Sequence, residues 1–339
     1  MKMKSIFFIR TSLEMLGAIE ARKQFDIINT LLIIKSDKSQ DSTINFLIEK
    51  SKGWNNIIRT KKKTSYGISW LNLIKKLKKE KYEYLFTRAF PIASYFVNNL
   101  DYEKLYILDD GAATIAIAKE YKNTGNLTKR FSLFKGKNKV GFKYDLIQKI
   151  YASNKIKINE DVNEVNFFTF YNLPDYENNE YVQNNFTWLH SLKNNSKKKN
   201  SNIVYLIGTA VVDSKILLFE DYFMTLKRIS EFYKDKEIIY VPHKREDSKE
   251  LKTLKKELNF NIRINKFNIE LDFLLNNEYP THVTGTISTA LIILKGIYRE
   301  SEIDFFNFDD TKITENKKKV IIDVYKYQEK YINYNRLNY

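Results

Sequence analysis

KLYILDDGAAT, residues 104–114, decides how the front half of this chain is read. A β-prone run, Leu105 to Leu108, stops at two adjacent carboxylates and a glycine, and small residues follow. An ordinary turn needs only one Asx residue and a glycine. Two like charges side by side repel, which raises the pKa of one of them. The stretch reads as the carboxyl end of a strand that passes through a loop into a helix. That is where open α/β sheets bind ligands, and it makes Asp109 or Asp110 a candidate general base. Gly111 lets the backbone turn sharply beside them. The plainer account is a turn followed by a helix N-cap.

Outward from this point the chain alternates. SIFFI (5–9), TLLIIK (30–35), NNIIRT (55–60) and YEYLFTR (82–88) are strand-like runs. LEMLGAIEARKQF (13–25), STINFLIEKSK (42–52) and GISWLNLIKKLKKEK (67–81) have helical periodicity, the last with an apolar stripe of Trp70, Leu73, Ile74 and Leu77. Such alternation predicts a parallel sheet with helices on both faces. The segment 158–181, INEDVNEVNFFTFYNLPDYENNEY, is acidic and irregular, and LKNNSKKKNSN (192–202) is polar and basic, so 156–200 reads as a linker region. The strand–loop–helix grammar then restarts: NIVYLIGTAVV (202–212), EIIYVPHKRE (237–246), FNIRI (260–264), THVTG (281–285) and EIDFFNF (302–308). The expectation is an α/β chain of two Rossmann-like domains facing a central cleft: residues 1–155, on the acceptor side, and 201–310, on the nucleotide-donor side. Residues 311–339 should form a helical tail packing back across both.

The second half offers three polar signals at strand ends. Pro242-His243-Lys244-Arg245-Glu246 follows EIIYV, and an imidazole with two cations before a helix favours a phosphate. His243 would also protonate a leaving phosphate oxygen. Thr284-Gly285-Thr286-Ile287-Ser288-Thr289 joins a strand to an apolar helix, where hydroxyls and backbone N–H groups cradle a phosphate. Gly208-Thr209 is a weaker case of the same kind. An exposed loop histidine and simple Ser/Thr capping are the plainer accounts. Together the signals put a base in the first domain and a phosphate site in the second, the layout for attack of an acceptor hydroxyl on a nucleotide-activated donor.

Bulk composition narrows the classes. The chain has 339 residues, no cysteine and three histidines, so disulfide and thiol chemistry are excluded. His190, His243 and His282 lie far apart, which argues against a dedicated metal site. The net charge is +16, with lysines in scattered runs such as KLKKEK that suit solvated helix faces. A basic surface also attracts anionic substrates or lipid. A nucleic-acid-binding protein is the alternative from a different class, but the aromatics follow core periodicity and no RNA motif is present. The N-terminal apolar run is broken by Arg10, Glu14 and Glu20, so it reads as a strand and helix and not as a signal peptide. The expectation is a cytoplasmic protein, in peripheral contact with the inner membrane face.

The order DDG (109–111), PH (242–243) and ST (288–289) resembles the motifs of bacterial sialyltransferases. With RTSLEMLGAIEA (10–21), led by Thr11, the chain is most similar to glycosyltransferase family 52, the lipooligosaccharide sialyltransferases, and to the related bacterial polysialyltransferases. The resemblance implies a GT-B fold and a metal-independent, inverting transfer of sialic acid from CMP-sialic acid to a galactoside of a surface glycan, lipooligosaccharide or capsule. No cofactor is implied. Asp110, with Asp109, would activate the acceptor; His243, Ser288 and Thr289 would hold or protonate the CMP phosphate. The chain departs from the pattern at Lys244 and at Ser12, where the family has proline. In the lipooligosaccharide group the base lies upstream of the histidine motif, which makes Asp213 and Asp221 alternatives. Another CMP-nonulosonate or a UDP-sugar stays open as donor. The oligomeric state is equally open, a homodimer included.

Overall fold

A computed structural model describes residues 3–35, 37–60, 68–133, 142–173, 181–193 and 199–337. The chain forms two compact units, Met1–Trp188 and Leu189–Tyr339.

The first unit runs β1 (Lys4–Ile9), α1 (Ser12–Gln24), β2 (Thr30–Ile34), α2 (Lys38–Ser51), β3 (Asn56–Arg59), α3 (Ile68–Leu77), β4 (Lys81–Thr87), α4 (Ser94–Val97), β5 (Asp101–Leu108), α5 (Ala113–Thr124), α6 (Phe142–Ser153), β6 (Asn166–Thr169) and β7 (Tyr181–Gln183), ending in α7 (Thr187–Leu192), which carries the boundary. The strand order is β3-β2-β1-β4-β5-β6-β7, and every pairing is parallel.

Aromatic residues hold the centre of this sheet. Phe7, Phe86 and Tyr106 are register partners on β1, β4 and β5. Their rings stack at 4.7 and 5.1 Å, close to the spacing of adjacent strands. Phe25, at the end of α1, meets Phe86 and Tyr106 edge-on. Phe8 points to the other face, against Trp70 of α3 and Phe96 of α4. A strand buried on both faces needs no polar alternation, which is why β1 reads as a continuous apolar run.

The second unit runs β8 (Lys199–Ile207), α8 (Phe219–Phe232), β9 (Glu237–Val241), α9 (Ser248–Leu258), β10 (Asn261–Ile262), α10 (Ile269–Leu275), β11 (Tyr279–Gly285), α11 (Thr289–Ile297), β12 (Glu302–Phe306), α12 (Glu315–Gln328) and β13 (Asn333–Asn335). Its strand order is β10-β9-β8-β11-β12-β13, again all parallel.

Two expectations need correction. The segment 156–200 is not an irregular linker throughout, because β6 and β7 within it extend the first sheet. Asp109 helps to fix β6, as described below. The basic stretch at 194–198 lies outside the described residues. The tail is not helical to its end: α12 stops at Gln328, and β13 pairs with β12. No helix among the described residues is long and apolar enough to cross a membrane.

Candidate functional site

Because the strands of the first sheet all run one way, the residues that follow them emerge along one edge. Across β2, β1, β4, β5 and β6 these are Lys35, Arg10, Arg88, Asp109 and Phe170. The two adjacent carboxylates separate here. Asp109 is buried and accepts from Thr169 Oγ1 at 2.5 Å and from the Phe170 N–H at 3.0 Å. Burial pushes its carboxyl up to about 7, and repulsion from Asp110 is the smallest contribution. Desolvation, and not the charge pair expected from sequence, is therefore the main cause. Asp110 keeps 33% of its side chain exposed and accepts from Arg88 at 2.5 Å, while its N–H donates to Thr114 Oγ1. Gly111, at φ +58°, makes the left-handed turn into α5.

Thr11 is the N-cap of α1, and its Oγ1 accepts from the Glu14 N–H at 3.3 Å. Glu14 replies by accepting from the Arg10 N–H at 2.8 Å, one residue out from the usual capping box. Glu14 is buried, which pushes its carboxyl up to about 7 despite the Arg88 Nε at 3.4 Å. Glu14 and Arg88 were missed from sequence. The Thr11-x-x-Glu14 spacing was a readable signal, whereas Arg88 becomes meaningful only once β4 lies beside β5.

In the second unit the three motifs again follow strand ends, of β8, β9 and β11. Gly208 and Thr209 do not offer free N–H groups as expected: the first donates to Val241 O at 2.8 Å and the second to Tyr222 OH at 3.2 Å. A side chain at Gly208 would strike Glu246 and would come within 2.6 Å of Tyr240 OH, so the glycine serves close packing. Tyr222, Tyr240 and Glu246 form a chain, with Tyr240 OH 3.0 Å from Tyr222 OH and 2.5 Å from Glu246 Oε2. Glu246 also accepts from the His243 N–H at 2.6 Å and fixes the loop that begins at Pro242. Burial pushes Glu246 up to about 7.

His243 Nδ1 accepts from the Arg245 N–H at 3.2 Å. Desolvation of its ring, then the Arg245 and Lys244 charges, hold its pKa below the ordinary imidazole value, while Asp213 opposes them. Lys244 reaches Asn268 Oδ1 at 3.1 Å and feels the buried Glu270. Asp213 pairs with Arg245 at 2.8 Å, and Asp221 lies in the first turn of α8 with Lys312 at 4.0 Å.

The two helix N-termini differ. In α9 the Asp247 carboxylate caps the Lys249 N–H at 2.7 Å, so a second anion is disfavoured there, contrary to the phosphate expected ahead of this helix. In α11 the cap is the neutral Ser288, which accepts from the Ala290 N–H at 3.3 Å, and no acid lies in the first turn. Gly285 approaches Ile207 O so closely that an added Cβ would sit at 3.0 Å. Thr286 is 1% exposed; its carbonyl accepts from Gln328 of α12, and its hydroxyl has no hydrogen-bond partner among the described residues.

One cluster was hidden by sequence distance. His282 and Glu302 are register partners, and His282 Nε2 lies 2.8 Å from Asp304 Oδ2. Ligand atoms of the three lie within 4.8 Å of one another. Tyr233 OH also donates to Asp304, and Lys236 Nζ stands 3.4 Å from His282 Nδ1, so a cation already faces the ring. His282 and Asp304 are buried and Glu302 is exposed, and with Tyr233 and Lys236 they form one polar network.

No protein-family model matches the chain, and no curated protein matches its sequence. Solved structures match it in shape. An S. aureus MnaA–UDP co-structure gives a TM-score of 0.52 at 11% identity, covering 97% of this chain and 88% of that one. A putative UDP-N-acetylglucosamine 2-epimerase from Listeria monocytogenes gives 0.55 at 11% identity, covering 98% and 90%. The fold is GT-B. At this identity the likeness is one of fold: two parallel Rossmann-like sheets, each presenting its loops at the carboxyl ends of its strands.

Proposed function

We propose that this GT-B chain transfers a sugar from a nucleotide donor to an acceptor hydroxyl. One observation carries the reading: DDG, PHK and TGTIST each leave the carboxyl end of a parallel strand, β5, β9 and β11 respectively. Asp110, the solvent-reaching member of its pair, takes the acceptor proton as the acceptor oxygen bonds to the anomeric carbon. The bond from that carbon to the phosphate oxygen breaks, and the nucleotide leaves with the electron pair. The α11 N-terminus with Ser288 and Thr289 receives the phosphate charge, and the neutral His243 ring, whose Nδ1 accepts from Arg245, donates a hydrogen bond to it from Nε2. Attack opposite the leaving group inverts the anomeric centre.

The motif order supports CMP-sialic acid as donor and a galactoside of a bacterial surface glycan as acceptor. In the same reading the basic chain works at an anionic membrane face. A second reading, a UDP-sugar donor, is favoured by the two structural relatives, whose descriptions name UDP or a UDP-sugar. The test is CMP release on incubation with CMP-sialic acid and lactose, alongside thermal shifts with CMP and UDP. Asp110→Ala and His243→Ala should both abolish release while keeping the unfolding midpoint. Full turnover in both variants overturns the assigned roles, and stabilisation by UDP alone selects the second reading.

A further inference from the structure

The cations along the edge of the first sheet are not equivalent. Arg88 is committed to Asp110 and Glu14. Arg10, which follows the neighbouring strand β1, is not committed to any carboxylate among the described residues. Among the described residues its guanidinium makes no hydrogen bond and no ion pair, and it lies over the Phe90 ring at 5.2 Å. Its Nε is buried without an acceptor. Arg88 lies over the same ring at 4.9 Å, so Phe90 carries two guanidinium groups.

Lys35, at the end of the next strand, is 7% exposed. Desolvation and the nearby charge of Arg10 hold its amine below the ordinary lysine value, and Asp37 opposes them only in part. Lys35 Nζ also lies 5.9 Å from the Trp70 ring. Glu14, the carboxylate nearest Arg10 in the chain, binds its backbone N–H and not its guanidinium. Burying a donor without its acceptor is costly, and a guanidinium fork matches a carboxylate or phosphate. Sheet order places this fork just after β1, with β4 alone between β1 and β5, the strand that Asp109 and Asp110 follow.

We infer that Arg10, assisted by Lys35, binds an anionic group of the acceptor, a carboxylate or a phosphate, beside the hydroxyl that Asp110 activates. The inference rests on the transfer reading above, in which the first unit takes the acceptor. It deepens that reading by assigning the acceptor a negative charge. Arg10 is then a specificity residue: it selects among hydroxyl acceptors, and Asp110 performs the proton transfer.

The test uses the whole chain and three small probes, galactose, galacturonate and galactose 6-phosphate, titrated by calorimetry. At least one anionic sugar should bind about 10-fold more tightly than galactose. The stronger of the two identifies carboxylate or phosphate as the natural group. Arg10→Gln should abolish the preference, Arg10→Lys should retain part of it, and Lys227→Gln, an exposed cation on α8, should leave it intact. Equal binding of all three sugars, or a preference that survives Arg10→Gln, overturns the inference. CMP and UDP titrations on the same samples separate the two levels. Nucleotide binding without charge preference sinks the anion site alone; charge preference without nucleotide binding sinks the transfer reading, and with it the assignment of the anion to an acceptor, while the Arg10 anion site itself stands.

Discussion

The Arg88 guanidinium donates to Asp110 Oδ1 at 2.5 Å and holds its Nε 3.4 Å from Glu14 Oε1. One cation thus serves a carboxylate that reaches solvent and another that is buried. Removing it should hurt most when Glu14 is ionised. With the Glu14 pKa near 7, Arg88→Ala should cost about 1–3 kcal/mol at pH 8 and distinctly less at pH 5, where Glu14 is protonated in either protein. Urea unfolding at the two pH values checks this.

Asp109 and Asp110 should separate by mutation. Asp110→Asn should lower turnover by roughly 100- to 10,000-fold with an unchanged unfolding midpoint, as expected for loss of a general base. Asp109→Ala should unfold more easily, because the Phe170 N–H loses its acceptor. A circular-dichroism melt beside a CMP-release assay distinguishes the two outcomes.

Stability should fall as pH rises from about 4 to about 7. Asp109 has a native pKa near 7 against an ordinary value of 3.8, so the native state binds more protons than the unfolded chain in that window. The contribution is complete below the unfolded value and is lost as pH passes the native one. Glu14 and Glu246 act in the same direction. Asp109→Asn should flatten the dependence by on the order of 2 kcal/mol between pH 5 and 8, read from denaturant midpoints.

Gly208→Ala should destabilise by about 1–3 kcal/mol through overpacking against Tyr240 and Glu246. In a Tyr240→Phe background, where the hydroxyl is gone, part of that cost should return. A thermal-melt double-mutant cycle measures it.

Much of the sheet was legible. β1, β2, β4 and β5 are apolar runs bounded by polar residues, and each motif chosen from sequence does follow a strand. β6 was not legible: NFFT is four residues long and sits inside acidic sequence, and its strand character comes from pairing with β5. β13 was read as part of a helical tail, and pairing with β12 is what makes it a strand. The contrast between the α9 and α11 N-termini was readable from Asp247, an acid at the N-cap where α11 has Ser288. Arg10 was read as an interruption of the N-terminal apolar run. That its guanidinium has no partner among the described residues becomes visible only when neighbouring strands have taken up the other charges.

Asp109 finds Thr169 and Phe170 some 60 residues downstream. During translation, the DDG loop leaves the ribosome well before its anchors exist. Until they arrive, that carboxylate stays hydrated and the loop unpinned. A nascent chain stalled before residue 170 should therefore hold a sheet whose DDG loop is not yet pinned, so the ordering of that edge comes as a late event in synthesis.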